Sequence, residues 1–194
     1  MKLFIALSMI FIASGYCELL SDPKFKKPES NWHLRKGKEY KNIKETYKKG
    51  EFTLNSPAPS SRIYLCLYAE ANLTEGEIYK LQVEVKTPGS GAISYGYGTY
   101  GDIFAPKGKK RTKKTRSKET KGENLGLLAA TDELSTNWKT HTCYFKVKPK
   151  KSDLNTYLKV FLGEYMGEFK MRNPSITKVD NLPTSVKLGI IDVQ

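Results

Sequence analysis

Two stretches of this chain alternate apolar and polar residues with a period of two. In residues 79–86 (YKLQVEVK), Tyr79, Leu81, Val83 and Val85 fall on one face, with Lys80, Gln82, Glu84 and Lys86 on the other. In residues 62–68 (RIYLCLY), Ile63, Leu65 and Leu67 share one face, and Tyr64, Cys66 and Tyr68 share the opposite one. Successive side chains of a strand point to opposite sides, so this pattern builds half-buried strands. The aliphatic faces pack into a core. The other faces meet water, and in the second stretch that face carries tyrosine rings.

Further strands are expected at 51–54, 62–70, 78–87, 92–100, 125–130, 138–148, 157–163, 169–179 and 186–193. Turn residues separate them: Ser56-Pro57-Ala58-Pro59, Thr74-Glu75-Gly76, Pro88-Gly89-Ser90-Gly91 and Asn173-Pro174. Many short strands and no amphipathic helix predict an all-β protein, a two-sheet antiparallel β-sandwich. The 194 residues suffice for one domain with a real core, and 39% hydrophobic content suits a folded chain.

Residues 1–17 read as a secretory signal peptide. Lys2 supplies the positive start, 3–13 (LFIALSMIFIA) the short apolar run, and Ala13 and Gly15 the small residues for cleavage. The sandwich then occupies 18–180, with 181–194 as a C-terminal strand or tail. Localisation is expected to be secreted or extracytoplasmic, at a cell surface or in a periplasm. An oxidising compartment favours a disulfide between Cys66 and Cys143. Strand parity opposes it, because Cys66 lies on the tyrosine face of its strand while Cys143 shares a face with Phe145 and Val147. The balance favours two free thiols.

Residues 107–121 (KGKKRTKKTRSKETK) stand apart. Nine basic residues face the single acid Glu119, a net +8 within a chain of +13. With nothing apolar to bury, the run is expected to be a disordered insertion. Lys109, Lys110, Arg111, Lys113, Lys114 and Arg116 are its candidate contacts to an anionic polymer. Secretion and the absence of interleaved aromatic residues argue against nucleic acid as that partner.

Three segments, in order, resemble the carbohydrate-binding modules of the family 4/9 group. Their opening is similar to Asn-Leu-Leu-x-Asn-Pro-x-Phe-Glu followed by a tryptophan. Here it reads Glu18-Leu19-Leu20-Ser21-Asp22-Pro23-Lys24-Phe25-Lys26, then Trp32. The middle Gly-x-x-Tyr-x-Leu-x-Phe-x-Val strand is matched from Gly76 through Tyr79 and Leu81 to Val85. The later Trp-x-x-Tyr-x-x-x-Phe strand is matched from Trp138 to Phe145. The segments at 157–163 (YLKVFLG) and 171–179 (MRNPSITKV) follow. Lys26 replaces the usual acid, His141 stands where an aromatic residue is common, and the basic run is an insertion. The resemblance implies a galactose-binding-like jelly roll and a noncatalytic module that binds polysaccharide or cell-surface glycan. It also implies that Trp32 and Trp138 are buried.

Sugar binding needs aromatic platforms and hydrogen-bonding side chains. Tyr95 and Tyr97, in AISYGYGTYG, project to one side, with Gly96 and Gly98 leaving the other bare. Either they form a platform or they pack inward and the glycines mark a bend. Tyr64, Tyr68, Tyr157 and Phe161 form a second aromatic set opposite aliphatic neighbours, and stand either in a concave binding face or under a cover. Arg62, Gln82, Glu84 and Lys80 offer polar contacts. His33 and His141 have no metal-ligand spacing. Asp22 and Asp180 are weak candidates for a structural calcium; no other cofactor is expected. No nucleophile motif is present, so the chain is expected not to be an enzyme; a polysaccharide lyase rests on fold analogy alone. The expected function is a secreted, monomeric carbohydrate-binding module. The alternative is an adhesive cell-surface protein that binds a protein or envelope partner.

Overall fold

The computed structural model describes residues 18–71, 73–100, 123–151 and 154–194. The expected signal peptide and the basic run at 107–121 lie outside them.

The strands are β1 (Trp32–Lys36), β2 (Glu45–Lys48), β3 (Glu51–Ser56), β4 (Leu65–Glu70), β5 (Ile78–Lys86) and β6 (Ser90–Gly91). They continue with β7 (Ile93–Tyr100), β8 (Asn124–Thr131), β9 (Lys139–Lys146), β10 (Asn155–Phe161), β11 (Tyr165–Val179) and β12 (Ile191–Val193). A five-stranded sheet runs in the order β1-β4-β10-β7-β8. A seven-stranded sheet runs β12-β9-β5-β11-β3-β2, with β6 pairing β11 beside that path. The named pairs are antiparallel, as a two-sheet sandwich requires.

The core lies between the inner faces. Tyr79, Leu81, Val83 and Val85 of β5 all point into it, as alternation predicts, against Leu65, Leu67, Leu158 and Val160 of the other sheet. The lead-in belongs to the same core. Leu20 and Phe25 are buried, and the Phe25 and Trp32 ring centroids are 4.8 Å apart. The Trp32 Nε1–H donates to the Asp22 carbonyl at 2.9 Å.

Three local departures from simple alternation matter for the site. Arg62–Tyr64 is a 3-10 turn rather than the start of β4, so Ile63 is 49% exposed instead of core. Asn173-Pro174 does not end a strand. It makes a register shift inside the fifteen-residue β11, where proline's missing N–H falls in an irregular part of the ladder. Short β1 and β2, rich in charge, were not expected at all.

Gly163 explains the first departure. Its backbone runs so close to the 3-10 turn that a Cβ there would overlap the Ser61 carbonyl oxygen and lie 2.8 Å from the Arg62 oxygen. Gly163→Ala is expected to cost about 3 kcal/mol, or roughly 10 °C in Tm. A melting curve within a degree of the parent would refute this tight approach.

Candidate functional site

Tyr95 and Tyr97 face the core. Tyr95 is 1% exposed, and its hydroxyl lies 2.9 Å from His141 Nδ1 on β9. Tyr97 is 2% exposed; its hydroxyl accepts the Lys148 N–H at 2.8 Å, and its ring stands 5.5 Å from that of Phe145. These tyrosines therefore bridge the two sheets and form no platform. The bare side of Gly96 and Gly98 is the outer one. A Cβ at Gly96 would meet the Phe161 ring at 2.8 Å, and one at Gly98 would meet Lys159 Nζ at 2.9 Å. Side chains of β10 lie across β7 where the glycines leave room.

The outer face of the five-stranded sheet is filled as well. Cys66, Tyr68, Tyr157 and Phe161 form a second buried cluster, and Lys159 is 1% exposed. The Lys159 ammonium stands 5.7 Å from the Phe161 ring centroid. Burial pushes the Cys66 thiol up to about 12. Of the second aromatic set, Tyr64 alone is exposed, at 40%. Arg62 lies in the same turn and pairs with Glu164 at 2.8 Å. Tyr64, Tyr68, Tyr95 and Tyr97 do not line one open groove. Cys66 and Cys143 are both free and buried, Cys66 on this outer face and Cys143 in the core.

Gln82 and Glu84 lie elsewhere, on the outer face of the seven-stranded sheet. The register sets Tyr144 beside Lys80, Thr142 beside Gln82 and Thr140 beside Glu84. Thr177 and Arg172 of β11 flank Lys80 and Glu84 on the other side. Cys143, Phe145 and Val147 point inward, so Thr140, Thr142 and Tyr144 point outward. Trp138 shares that side, because the Arg172 guanidinium covers its ring at 4.2 Å. Trp138 and Tyr144 are both half-buried, about 20 Å apart along the strand.

This strip has two characters. At the Trp138 end, Glu84 is held by Arg172 Nε and Asn173 Nδ2, each at 2.7 Å. The Asn173 amide, more than Arg172, keeps its carboxyl below the usual carboxylate range. At the Tyr144 end the face deepens into two adjoining hollows of about 630 and 540 Å³. Lys80, Gln82 and Tyr144 floor both. The segment from Pro183 to Gln194 walls the larger, and Asp180 stands on the rim of the smaller. The Gln82 amide reaches Thr142 Oγ1 at 3.5 Å, the weak end of hydrogen bonding, so it has capacity to spare. A half-buried ring, an amide, hydroxyls and a lysine make up the inventory that a pyranose needs.

Neither ring is among the binding residues that the sequence suggests. Trp138 is half-buried under Arg172 rather than buried, and Tyr144 was not singled out. Their parity relative to Phe145 and Val147 was available as a signal. No group of three His, Cys, Asp or Glu is placed to hold a metal among the described residues. The Asp22 carboxylate accepts the N–H groups of Lys26 and Lys27, both at 2.7 Å.

No family model and no curated protein matches the chain. Solved structures do. A family 4 carbohydrate-binding module superposes with a TM-score of 0.59 at 11% identity, covering 82% of this chain and 99% of that one. The fold is that of the carbohydrate-binding modules. The second N-terminal cellulose-binding domain of Cellulomonas fimi β-1,4-glucanase C matches at 0.53 and 15% identity, covering 87% of this chain and 99% of its own. A tandem family 22 module from Paenibacillus barcinonensis matches at 0.53 and 11%, covering 90% of this chain and 48% of that one. Among the described residues no helix is long and apolar enough to cross a membrane.

Proposed function

We propose that this chain is a secreted, noncatalytic glycan-binding module whose ligand lies along β9 on the outer face of the seven-stranded sheet. The observation that carries it is the half-buried Tyr144 ring beside Gln82 and Thr142, in line with Trp138. The ring takes the C–H face of a sugar, and Gln82 and Lys80 take its hydroxyls. Glu84, bound on both oxygens, orients Arg172 and so holds Trp138 in place. Engaged in this way, the Glu84 carboxylate serves to shape a binding surface. The fold shared with a cellulose-binding domain supports a polysaccharide ligand. The basic run at 107–121 is a second element, which favours anionic polysaccharide through long-range attraction.

A glycan array followed by calorimetry tests this. Tyr144→Ala and Gln82→Ala are expected to weaken the best glycan at least tenfold, about 1.4 kcal/mol, with unchanged melting temperature. Unchanged affinity in both variants would sink the assignment. Repeating the titration at high salt separates the elements: salt-sensitive affinity credits the basic run, and salt-resistant affinity credits the ring. One observation favours the adhesive reading. Tyr68, Tyr95, Tyr97, Tyr157 and Phe161 are all buried. That reading requires an array with no binder and capture of an envelope or protein partner.

A further inference from the structure

We propose that a second, apolar cavity at the open side of the sandwich binds the alkyl chain of a free, single-chain carboxylate amphiphile. The cavity measures about 580 Å³ and lies where β8, β9 and the C-terminal segment converge. Its lining includes Leu125, Leu127, Leu128, Phe145, Val147 and Leu188. Leu127 is 45% exposed and Leu188 44% exposed, so two large aliphatic side chains stand in water at one opening. Such exposure is costly unless something apolar covers it.

The buried hydroxyl of the cavity is already engaged. The Tyr97 hydroxyl accepts the Lys148 N–H at 2.8 Å and faces the Lys146 carbonyl at 3.5 Å. A sugar would surrender hydrogen bonds to water here and recover few, whereas hydrocarbon loses nothing by entering. The rim supplies the polarity. Lys148 is exposed, and its ammonium arches over β8 to within 3.7 Å of the Cβ position at Gly126. Glu75 lines the cavity as the acid, so the cationic side at Lys148 is where an anionic head would settle. A concave pocket of this volume accepts one chain, not the plane of a bilayer.

The wall between this cavity and the glycan strip is a single stretch of backbone. Leu188 faces the cavity and Ile190 the larger hollow of the strip. Gly189 between them donates its N–H to the Tyr144 carbonyl at 2.8 Å. It has φ +75°, and a Cβ there would come 3.0 Å from the Leu128 oxygen. The cavity and the strip can therefore be tested separately in the same protein.

The test is calorimetric titration of the secreted chain with decanoate, butyrate, 1-decanol and phosphatidylglycerol vesicles. Saturable one-to-one binding of decanoate is expected, with butyrate at least tenfold weaker. Leu127→Asp and Leu188→Asp, both at exposed positions, should each weaken decanoate at least tenfold without lowering Tm. Lys148→Ala should abolish the preference for decanoate over 1-decanol. Three results would overturn the proposal: no saturable decanoate binding, decanoate binding indifferent to both aspartate variants, or binding to vesicles alone. Loss of glycan binding in Tyr144→Ala with decanoate binding retained would show the two sites to be independent.

Discussion

Tyr95→Ala is expected to destabilise the domain by about 4 kcal/mol, a large share of the 5–15 kcal/mol that holds a typical domain together. Two costs combine. Removing a ring that is 1% exposed leaves a cavity between the sheets that neighbouring β-strands cannot close. The truncation also strips His141 Nδ1 of its partner at 2.9 Å, deep in the core, where His141 Nε2 already has none among the described residues. Tyr95→Phe separates the two costs. It keeps the ring and loses only the hydroxyl, so about 1–2 kcal/mol should go. Urea denaturation measures both. Glycan affinity of Tyr95→Phe should match the parent. A Tyr95→Ala protein with a normal urea midpoint and lost glycan affinity would instead return this residue to the binding site.

The contrast with a stacking role shows what alternation can tell. Parity decides which residues share a face. It does not decide which face turns inward. For β5 the answer was plain, because Tyr79, Leu81, Val83 and Val85 are apolar and their alternates are charged or amide-bearing. For β7 it was not: tyrosines alternate with glycines, and either set is compatible with a core. The choice is made by a neighbouring strand, where Phe161 and Lys159 need the space that Gly96 and Gly98 leave. That is a non-local fact, and spacing within β7 carries no trace of it. Likewise RIYLCLY alternates throughout, yet only its second half is strand, because Gly163 presses its backbone against Ser61 and Arg62. Parity was sufficient for the cysteines, which lie on different faces. It also sufficed for β9, where the inward Cys143, Phe145 and Val147 imply the outward Tyr144. The proposed strip was therefore half legible: Gln82 could be named, but the ring beside it is adjacent only through the β5–β9 register.

Acidification from pH 7 to pH 5 is expected to remove about 2 kcal/mol of stability through His141 alone, rising to about 3 kcal/mol near pH 4. Burial lowers its pKa from the ordinary 6.5 to about 4, since a charged imidazole between the sheets would lose its hydration. The unfolded chain, with an ordinary histidine, takes up the proton first. Stability is thus complete above about pH 6.5 and falls as the pH drops toward 4. The groups near the ring do not blur this window. Cys143 is pushed up to about 11 and Tyr95 is raised further, both by burial, so neither ionises there. Glu84, held low by Asn173, adds its own loss only as the pH falls into the ordinary carboxylate range, below the pH 7 to 5 interval. Urea unfolding at several pH values, on the parent and on His141→Gln, measures the effect. Glutamine retains an acceptor for the Tyr95 hydroxyl but takes up no proton, so its stability curve should be flatter than the parent's by about 2 kcal/mol between pH 7 and 5. Parallel curves for the two proteins would mean that His141 is protonated as readily folded as unfolded, and that the buried Tyr95–His141 contact opens to water.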